Sequence, residues 1–513
     1  MKKNNKRRFS FCRFSFCYFL LWLIFTLSLT LSQAAIWAYS TFHVELAEMM
    51  FTIRAPLNGA GGNFVSEALK FCLPKILAGS LGFGLLLLFF QRWNRLSFRL
   101  VLQIRSKVLR ISSRALERLT AAIISLGMLA MTCFYLQSTY NVIGYVKTNL
   151  STTTIYDDYY VMPSDVDITA GEKRNLLCIY LESMEITYAD EAHGGANTQN
   201  YIPYLTDLAL NNTSFGSSAA VLGGIQSLPN TAWTSAALIA STSGIPFNFP
   251  MNDNDLTFYS SFAENLQTMG QILDENGYYQ EFLCGSDATF GGRRQYFAQH
   301  GNYQIYDYDT AMEKGAIPPG YKVWWGFEDE KLFDIAKSEL TRISQQDQPF
   351  NLTMLTVDTH VSHGYICQHC DLEKYNGEVL PTVLDCTERL LEDFLNWCKE
   401  QPFYENTTIV LLGDHPRMDT DLVNGAANTS RKVYNCFLNP AKAPSTSTEG
   451  RGLTQLDMFP TILSSLGFEI PGNRLGMGTD LFSDAPTLLE ELGYDYLSTE
   501  LQKQSKFYKE NFY

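Results

Sequence analysis

Three long apolar runs within the first 140 residues constrain this chain more than any other feature. They cover about 14–38, 71–90 and 119–138, and each reaches the roughly 20 residues a helix needs to cross a bilayer. Lys75 interrupts the second run near one end, where its ammonium can snorkel to the interface. Basic residues then orient the spans. Lys2, Lys3, Lys6, Arg7, Arg8 and Arg13 precede the first run, and residues 91–118 carry seven arginines and one lysine against Glu117 alone. Residues 42–70 hold only Arg54 and Lys70 beside three glutamates. The positive-inside bias therefore puts the amino terminus and 91–118 in the cytoplasm, and three crossings put everything after about 140 outside it. A cleaved signal peptide is the alternative for the first run, but Ser32-Gln-Ala-Ala makes a poor cleavage site, and the large domain stays outside on either reading.

A chain of 513 residues exceeds one minimal core. The expected organisation is a membrane anchor over 1–140, a linker over 141–170, a catalytic domain over 171–483 and a helical tail over 484–513. The net charge is −14. An acidic exterior argues against a nucleic-acid partner, which would need clustered Lys and Arg. The basic 91–118 stretch, flanked by spans, suits anionic lipid headgroups instead.

Beyond residue 170, short apolar runs alternate with helix-like stretches. Asn175–Leu181, Tyr279–Cys284, Asn351–Val357, Thr408–Leu412 and Val433–Leu438 read as strands. Tyr201–Leu210, Thr234–Ser243, Phe262–Glu275, Asp329–Ile343 and Val383–Glu400 read as helices. That rhythm predicts an α/β sandwich with a mostly parallel sheet. Such sheets bind ligands beyond the carboxyl ends of their strands. Glu182 follows the first strand, His360 the third, and Asp414-His415 the fourth, so three strands deliver polar groups to one edge. Pro440–Gly450 reads as a surface loop.

Thr234 opens a predicted helix that stops at Gly244 and Pro246. A hydroxyl there faces unpaired N–H groups and the helix dipole, which favour an anion. It becomes a nucleophile only when a base or metal lowers its pKa. Glu182, Asp414, His415 and Thr234 together make a hard-to-borderline ligand set suited to Mn²⁺, Zn²⁺ or Mg²⁺. Each has a plainer reading: Glu182 a capping carboxylate, Asp414-His415 an ordinary turn, and Thr234 a helix cap replaceable by Thr231 or Ser235. A carboxylate closing an almost wholly apolar run needs a partner, however, which favours the ligand reading. His360 can contact phosphate or protonate a leaving group. Trp324, Trp325 and Asp329 can wall a pocket for a polyol headgroup. Arg293 and Arg294 can clamp phosphate or simply be surface charge.

Four of the eleven cysteines lie in or beside the spans. Cys367, Cys370 and Cys386 cluster in the outer domain. An oxidising exterior permits a disulfide, with Cys370–Cys386 the preferred pairing. The competing reading, with His363 and His369 nearby, is a zinc clamp, although no second Cys pair stands at the usual module spacing.

From about Asn175 to Phe482 the chain resembles the sulfatase-like branch of the alkaline phosphatase superfamily, specifically its membrane-anchored phosphoglycerol transferases. The motifs are Tyr180-Leu-Glu-Ser, the Thr234 segment ending in Ser-Gly-Ile-Pro, Trp325-Gly-Phe-Glu-Asp, Thr356-Val-Asp-Thr-His, Gly413-Asp-His, Gln455-Leu-Asp-Met-Phe-Pro-Thr-Ile-Leu and Leu475-Gly-Met-Gly-Thr-Asp-Leu. The resemblance implies one divalent cation, typically manganese, among Glu182, Thr234, Asp414 and His415. It implies that Thr234 takes phosphoglycerol from phosphatidylglycerol, releases diacylglycerol and passes the group to a glycan or glycerolphosphate acceptor. His360 and Trp325 would line the headgroup pocket. Lipoteichoic acid synthases usually carry Lys before the nucleophilic Thr and five spans; Trp233 and three spans stand here, which leaves the headgroup contacts and the choice between glycan and glycerolphosphate acceptor open. The Thr-Ser-Ala-Ala sequence argues against sulfate ester hydrolysis, for which sulfatases use a Cys or Ser followed by Pro and Arg. Phosphoethanolamine transfer, a phosphodiesterase, or a non-catalytic envelope scaffold on the same fold are the alternatives.

Overall fold

The computed structural model describes residues 16–42, 46–47, 49–50, 64–93, 99–104, 107–248, 263–361, 364–426 and 430–512. The chain divides into two compact units, one of residues 1–43 and 62–143, the other of 44–61 and 144–513.

The first unit is built on helices α1 (Phe16–Phe42), α2 (Phe64–Trp93) and α3 (Ser113–Tyr140). All three are long and apolar enough to cross a membrane. Each runs beyond the expected span, because flanking polar residues such as Ser113 and Arg114 extend the helix past its apolar middle. The start of the first expected span, residues 14–15, lies outside the described residues. Buried polar side chains fasten α3 to α1. Ser125 donates to the Leu21 carbonyl at 2.9 Å, Thr132 to Ser28 at 3.1 Å and Tyr140 to Ala35 at 2.7 Å. The partners advance together along both helices, so α1 and α3 run parallel, as the first and third of three alternating spans must. With lipid on one side and no hydrophobic drive between helices, such bonds set which faces meet.

The second unit holds a six-stranded sheet. Its strands are β1 (Asn175–Leu181), β2 (Tyr279–Cys284), β3 (Gln304–Tyr306), β4 (Phe350–Leu355), β5 (Thr407–Gly413) and β6 (Asn435–Leu438), in spatial order β6-β5-β1-β4-β2-β3. All pairs are parallel except β6 with β5. The period-two alternation of a strand divides its side chains between two cores. Leu176, Cys178 and Tyr180 enter one core with helices α5 (Thr234–Ser243), α6 (Met269–Glu275) and α9 (Met458–Ser465). Leu177, Ile179 and Leu181 enter the other with α4 (Pro203–Asn211), α7 (Asp329–Ile343) and α8 (Val379–Lys399). The result is an α/β/α sandwich.

Several element boundaries differ from expectation for local reasons. The third expected strand stops at Leu355, because the amides of Val357 and Asp358 turn to the carboxylate of Asp329 at 2.7 and 3.1 Å. The expected strand over 433–438 is broken at Tyr434, whose N–H bonds Met184 while its carbonyl accepts from Gly413. The helix expected from Phe262 begins at Met269 behind a Thr268 capping box; Phe262 itself lies outside the described residues. Residues 151–170 and the tail close on one another. Thr153 donates to Gln504 at 3.0 Å, Gln504 to Ser151 at 2.9 Å, and Tyr156 meets Tyr508 edge-on at 5.3 Å. Tyr156, Leu497, Leu501, Tyr508 and Phe512 all join the first core, so both segments belong to the folded domain.

Candidate active site

Parallel register decides where the polar groups stand. Tyr180 lies opposite Leu355 on one side and Leu412 on the other, and Leu181 opposite Gly413. The residues that follow, Glu182, Thr356 and Asp414, therefore emerge side by side at the carboxyl edge. The approach is close enough to exclude a side chain at 413: a Cβ there would stand 1.9 Å from the Met184 carbonyl oxygen. Ser183 adopts a left-handed conformation with φ 52°, an uncommon choice for a residue with a side chain, which turns the chain directly after Glu182.

The structure brings together Glu182, Asp414 and His415, all buried, with one candidate ligand atom from each lying within 4.8 Å of the others. Thr234, half-buried at the first turn of α5, completes the group. Its hydroxyl lies 3.4 Å from Glu182 Oε2 and 3.2 Å from His415 Nε2. His415 Nδ1 is 2.9 Å from the Pro416 carbonyl, which only accepts, so the proton sits on Nδ1 and the Nε2 lone pair faces the cluster. Asp414 Oδ1 accepts the amides of Ser183 and His415, each at 2.8 Å. Asp414 Oδ2 is buried without a hydrogen-bond partner among the described residues, 3.4 Å from His415 Nε2. Ser183 Oγ donates to Glu182 Oε1 at 2.7 Å.

Two buried carboxylates and an imidazole lone pair converging on one point repel one another unless a cation lies between them. The strain shows in the protonation equilibria. Burial, with the charge of Glu182, pushes the Asp414 carboxyl up to about 7. Burial also acts upward on Glu182, but His360, His415, the Ser183 hydroxyl and Arg417 outweigh it and leave that carboxyl below its ordinary range. One carboxylate stays charged while its buried neighbour resists charging. An orphaned carboxylate oxygen in an oxygen–nitrogen donor set fits a divalent cation of the magnesium, manganese or zinc kind.

His360 follows β4, its Nδ1 against the Val361 carbonyl and its ring 4.8 Å from Trp325. Burial holds its imidazole below the ordinary pKa, so it is neutral at pH 7. Trp325 in turn meets Phe290 at 5.5 Å. The loop carrying Phe290 touches α5 directly: Gly291 has φ 67°, and a Cβ there would strike Ser235 Oγ at 2.3 Å. His360, Trp325 and Phe290 thus stand in series, and the loop that carries Phe290 abuts α5 beside Thr234.

The structure does not bring Arg293, Arg294 or Asp329 into the cluster. Arg293 uses its guanidinium on its own loop, donating to Phe290, Ser286 and Asp287 at 3.0–3.1 Å. Arg294 pairs with the buried Asp307. Asp329 holds the backbone that leads to His360 with both carboxylate oxygens. The expected Cys370–Cys386 bridge is absent. Both are free thiols, and Cys367 Sγ is within hydrogen-bonding distance of each. His369 turns to Glu330 at 2.7 Å, and His363 lies outside the described residues.

Sequence reasoning missed the groups that brace the cluster. Thr356 Oγ1 accepts the Glu182 amide at 2.9 Å, and Thr359 Oγ1 donates to the Glu182 carbonyl. Arg417 is wholly buried. Its Nε bonds Asp419 at 2.8 Å, its Nη1 the Thr359 carbonyl, and its Nη2 has no partner among the described residues. Its only sequence signal was an arginine two residues beyond the Asp-His pair.

The sulfatase family model matches residues 174–468, the span of this sheet and its site. Phosphoglycerol transferase I of Xanthomonas campestris pv. campestris strain B100 is 31% identical over 322 residues, covering 61% of this chain and 44% of that protein. Its namesake from Escherichia coli O6:K15:H31 is 30% identical over 338 residues, 63% of this chain and 41% of that protein. The chain spans half or less of the length of these curated relatives. Among solved structures, lipoteichoic acid synthase LtaP from Listeria monocytogenes aligns over 62% of this chain and 79% of its own, at 18% identity and a TM-score of 0.47.

Proposed function

Because the chain belongs to the sulfatase family, we propose that it is a membrane-anchored transferase that moves phosphoglycerol from phosphatidylglycerol, through Thr234, to a glycan or glycerolphosphate acceptor in the cell envelope. The observation that carries this reading is the Thr234 hydroxyl, 3.2 Å from His415 Nε2 and 3.4 Å from Glu182 Oε2. A hydroxyl at a helix N-terminus, beside an imidazole lone pair and a charged carboxylate, is placed to lose its proton and meet an anionic phosphodiester. Similarity to proteins named phosphoglycerol transferase I supports the headgroup. The three spanning-length helices support a lipid donor, with the amino terminus cytoplasmic and the site outside.

Glu182, Asp414 and His415 would hold the cation, manganese by family resemblance, and it would supply charge to acidify the hydroxyl and neutralise phosphoryl oxygens. Thr234 Oγ attacks phosphorus as the bond to the diacylglycerol oxygen breaks. The neutral imidazole of His360, whose Nδ1 is held by the Val361 carbonyl, would take up the proton that Thr234 loses and pass it to the departing diacylglycerol oxygen. Trp325 and Phe290 wall the glycerol and keep water away. An acceptor hydroxyl then attacks the Thr234 phosphodiester, its proton leaves with a neighbouring base, and the threonine is regenerated.

The test uses the full chain in vesicles carrying either head-labelled phosphatidylglycerol or phosphatidylethanolamine. Diacylglycerol release from the first, with a phosphoglycerol adduct on the Thr234 peptide by mass spectrometry, supports the proposal. Release from the second alone reassigns the headgroup. Free glycerol phosphate without an adduct or acceptor product makes the protein a phosphodiesterase.

A further inference from the structure

Away from the strand edge, the loop that follows His360 carries a second cluster of different chemistry. Cys367-Gln-His-Cys370 forms a tight turn, closed by the Cys370 amide on the Cys367 carbonyl at 3.2 Å, and Cys386 reaches it from α8. Cys367 Sγ lies 3.4 Å from Cys386 Sγ and 3.7 Å from Cys370 Sγ, and all three sulfurs are within 4.8 Å of one another. Tetrahedral thiolates on zinc, with bonds of ~2.3 Å, sit about 3.8 Å apart. The three sulfurs therefore already stand near metal spacing, without a bond between any pair. Backbone amides point at them as well. His369 N–H donates to Cys367 Sγ at 3.4 Å and Cys367 N–H to Cys370 Sγ at 3.2 Å, which stabilises sulfur as thiolate.

We propose that Cys367, Cys370 and Cys386 form a structural zinc site that clips the 364–378 loop to helix α8. A Cys-x-x-Cys turn with a third cysteine from a helix is a common way to supply thiolates to zinc, and soft sulfur donors select this ion over the harder cations suited to Glu182 and Asp414. Binding is a Lewis acid–base step. The thiol protons pass to solvent, the sulfur lone pairs go to the ion, and no sulfur changes oxidation state. The three thiolates supply three of four tetrahedral positions, and the neighbouring His369 imidazole is engaged by Glu330. The consequence is mechanical: Cys367 is seven residues from His360, so the clip anchors the loop leaving the headgroup wall.

Cobalt substitution on the full chain in detergent tests this. The protein is reduced with a phosphine, stripped with chelator, and titrated with Co²⁺. The expected result is a thiolate-to-cobalt charge-transfer band saturating at one equivalent, unchanged in Asp414→Asn and lost in Cys386→Ser. Zinc released from the untreated protein by a mercurial reagent should also reach one equivalent. Two results overturn the proposal. One is a disulfide joining any two of the three cysteines in the protein as purified, with no charge-transfer band after reduction. The other is a band that survives in Cys386→Ser. The wild-type spectrum decides the matter even if the serine variant does not fold.

Discussion

Among its described residues the molecule holds two groups of side chains at metal-ligand spacing, and they are built in opposite ways. Glu182, Asp414 and His415 emerge from neighbouring strands whose register is fixed by a ladder buried on both faces. Cys367 and Cys370 sit on a loop, and only Cys386 belongs to a regular element. The first group is held by amides and hydroxyls that aim each lone pair, and its fourth member, Thr234, is the one left half-exposed, with its hydroxyl turned to Glu182 and His415. The second group is closed on itself by its own backbone. A site meant for turnover needs rigid support behind it and an open face in front. A site meant to fasten a loop needs neither. On the roles proposed above, that contrast is what would separate a catalytic cluster from a structural one of similar spacing.

The sharpest way to break the comparison is to remove the half-exposed group. Thr234→Ala should lower turnover by a factor on the order of 10⁴ or more, because nothing else in the cluster can form the covalent ester. Divalent-cation binding should persist, since three ligands remain. Thr234→Ser should restore part of the rate and carry the adduct. If Thr234→Ala retained more than a tenth of wild-type diacylglycerol release, Thr231 or Ser235 would have to be reconsidered, although both side chains are buried.

The next contrast sets one ligand from each cluster side by side. Asp414→Asn should reduce turnover at least about a hundredfold and weaken manganese binding, because it replaces the unpartnered oxygen with a neutral amide. Cys386→Ser should leave turnover within a few-fold and act mainly on thermal stability and KM, through the loop behind His360. Measuring both variants across a manganese titration checks the pair. If excess manganese rescues Cys386→Ser but not Asp414→Asn, the two clusters are not independent.

The strand-built cluster was legible in the sequence because its logic is local. An apolar run ending in an acid reports both a buried strand and its polar tip, and β1, β2, α5 and α7 fall where the pattern put them. Four kinds of feature escaped. Strand β3 has three residues, too few for a period to show. The orientation of Arg293, Arg294 and Asp329 depends on which backbone groups lie within reach, and composition cannot reveal that. The bridge expected between Cys370 and Cys386 assumed that two of three cysteines pair off, whereas folding sets Cys367 beside both of them. Arg417 went unnoticed because an arginine after an Asp-His-Pro turn looks like solvent-facing charge, yet it is among the most deeply buried side chains.

Support behind the strand edge can be probed without touching a ligand. Gly413→Ala should destabilise the domain by about 3 kcal/mol, since the added methyl meets a backbone carbonyl that cannot move without shifting Glu182. Thermal unfolding of the full chain, followed through tryptophan fluorescence, measures the loss. If the variant unfolded at the wild-type temperature, β1 and β5 would be less tightly joined at this edge than their register indicates.

The most gradual expected effect, spread over several pH units, concerns the seam between the clusters. Asp329 is buried, and burial pushes its carboxyl up to about 7, despite the amides of Val357 and Asp358; the charges of Glu182 and Cys367 act in the same direction. A carboxyl whose folded pKa lies above its ordinary value binds a proton more tightly in the folded state. Stability is then greatest below the ordinary range near 4, falls as pH rises toward 7, and levels off above it. Asp329→Asn removes that titration. The stability of wild type relative to the variant should therefore decline by roughly 1 kcal/mol per pH unit between about 4 and 7, and stay constant at higher pH. Unfolding measured at intervals across that window gives the slope. A flat difference would mean that Asp329 is charged throughout the window.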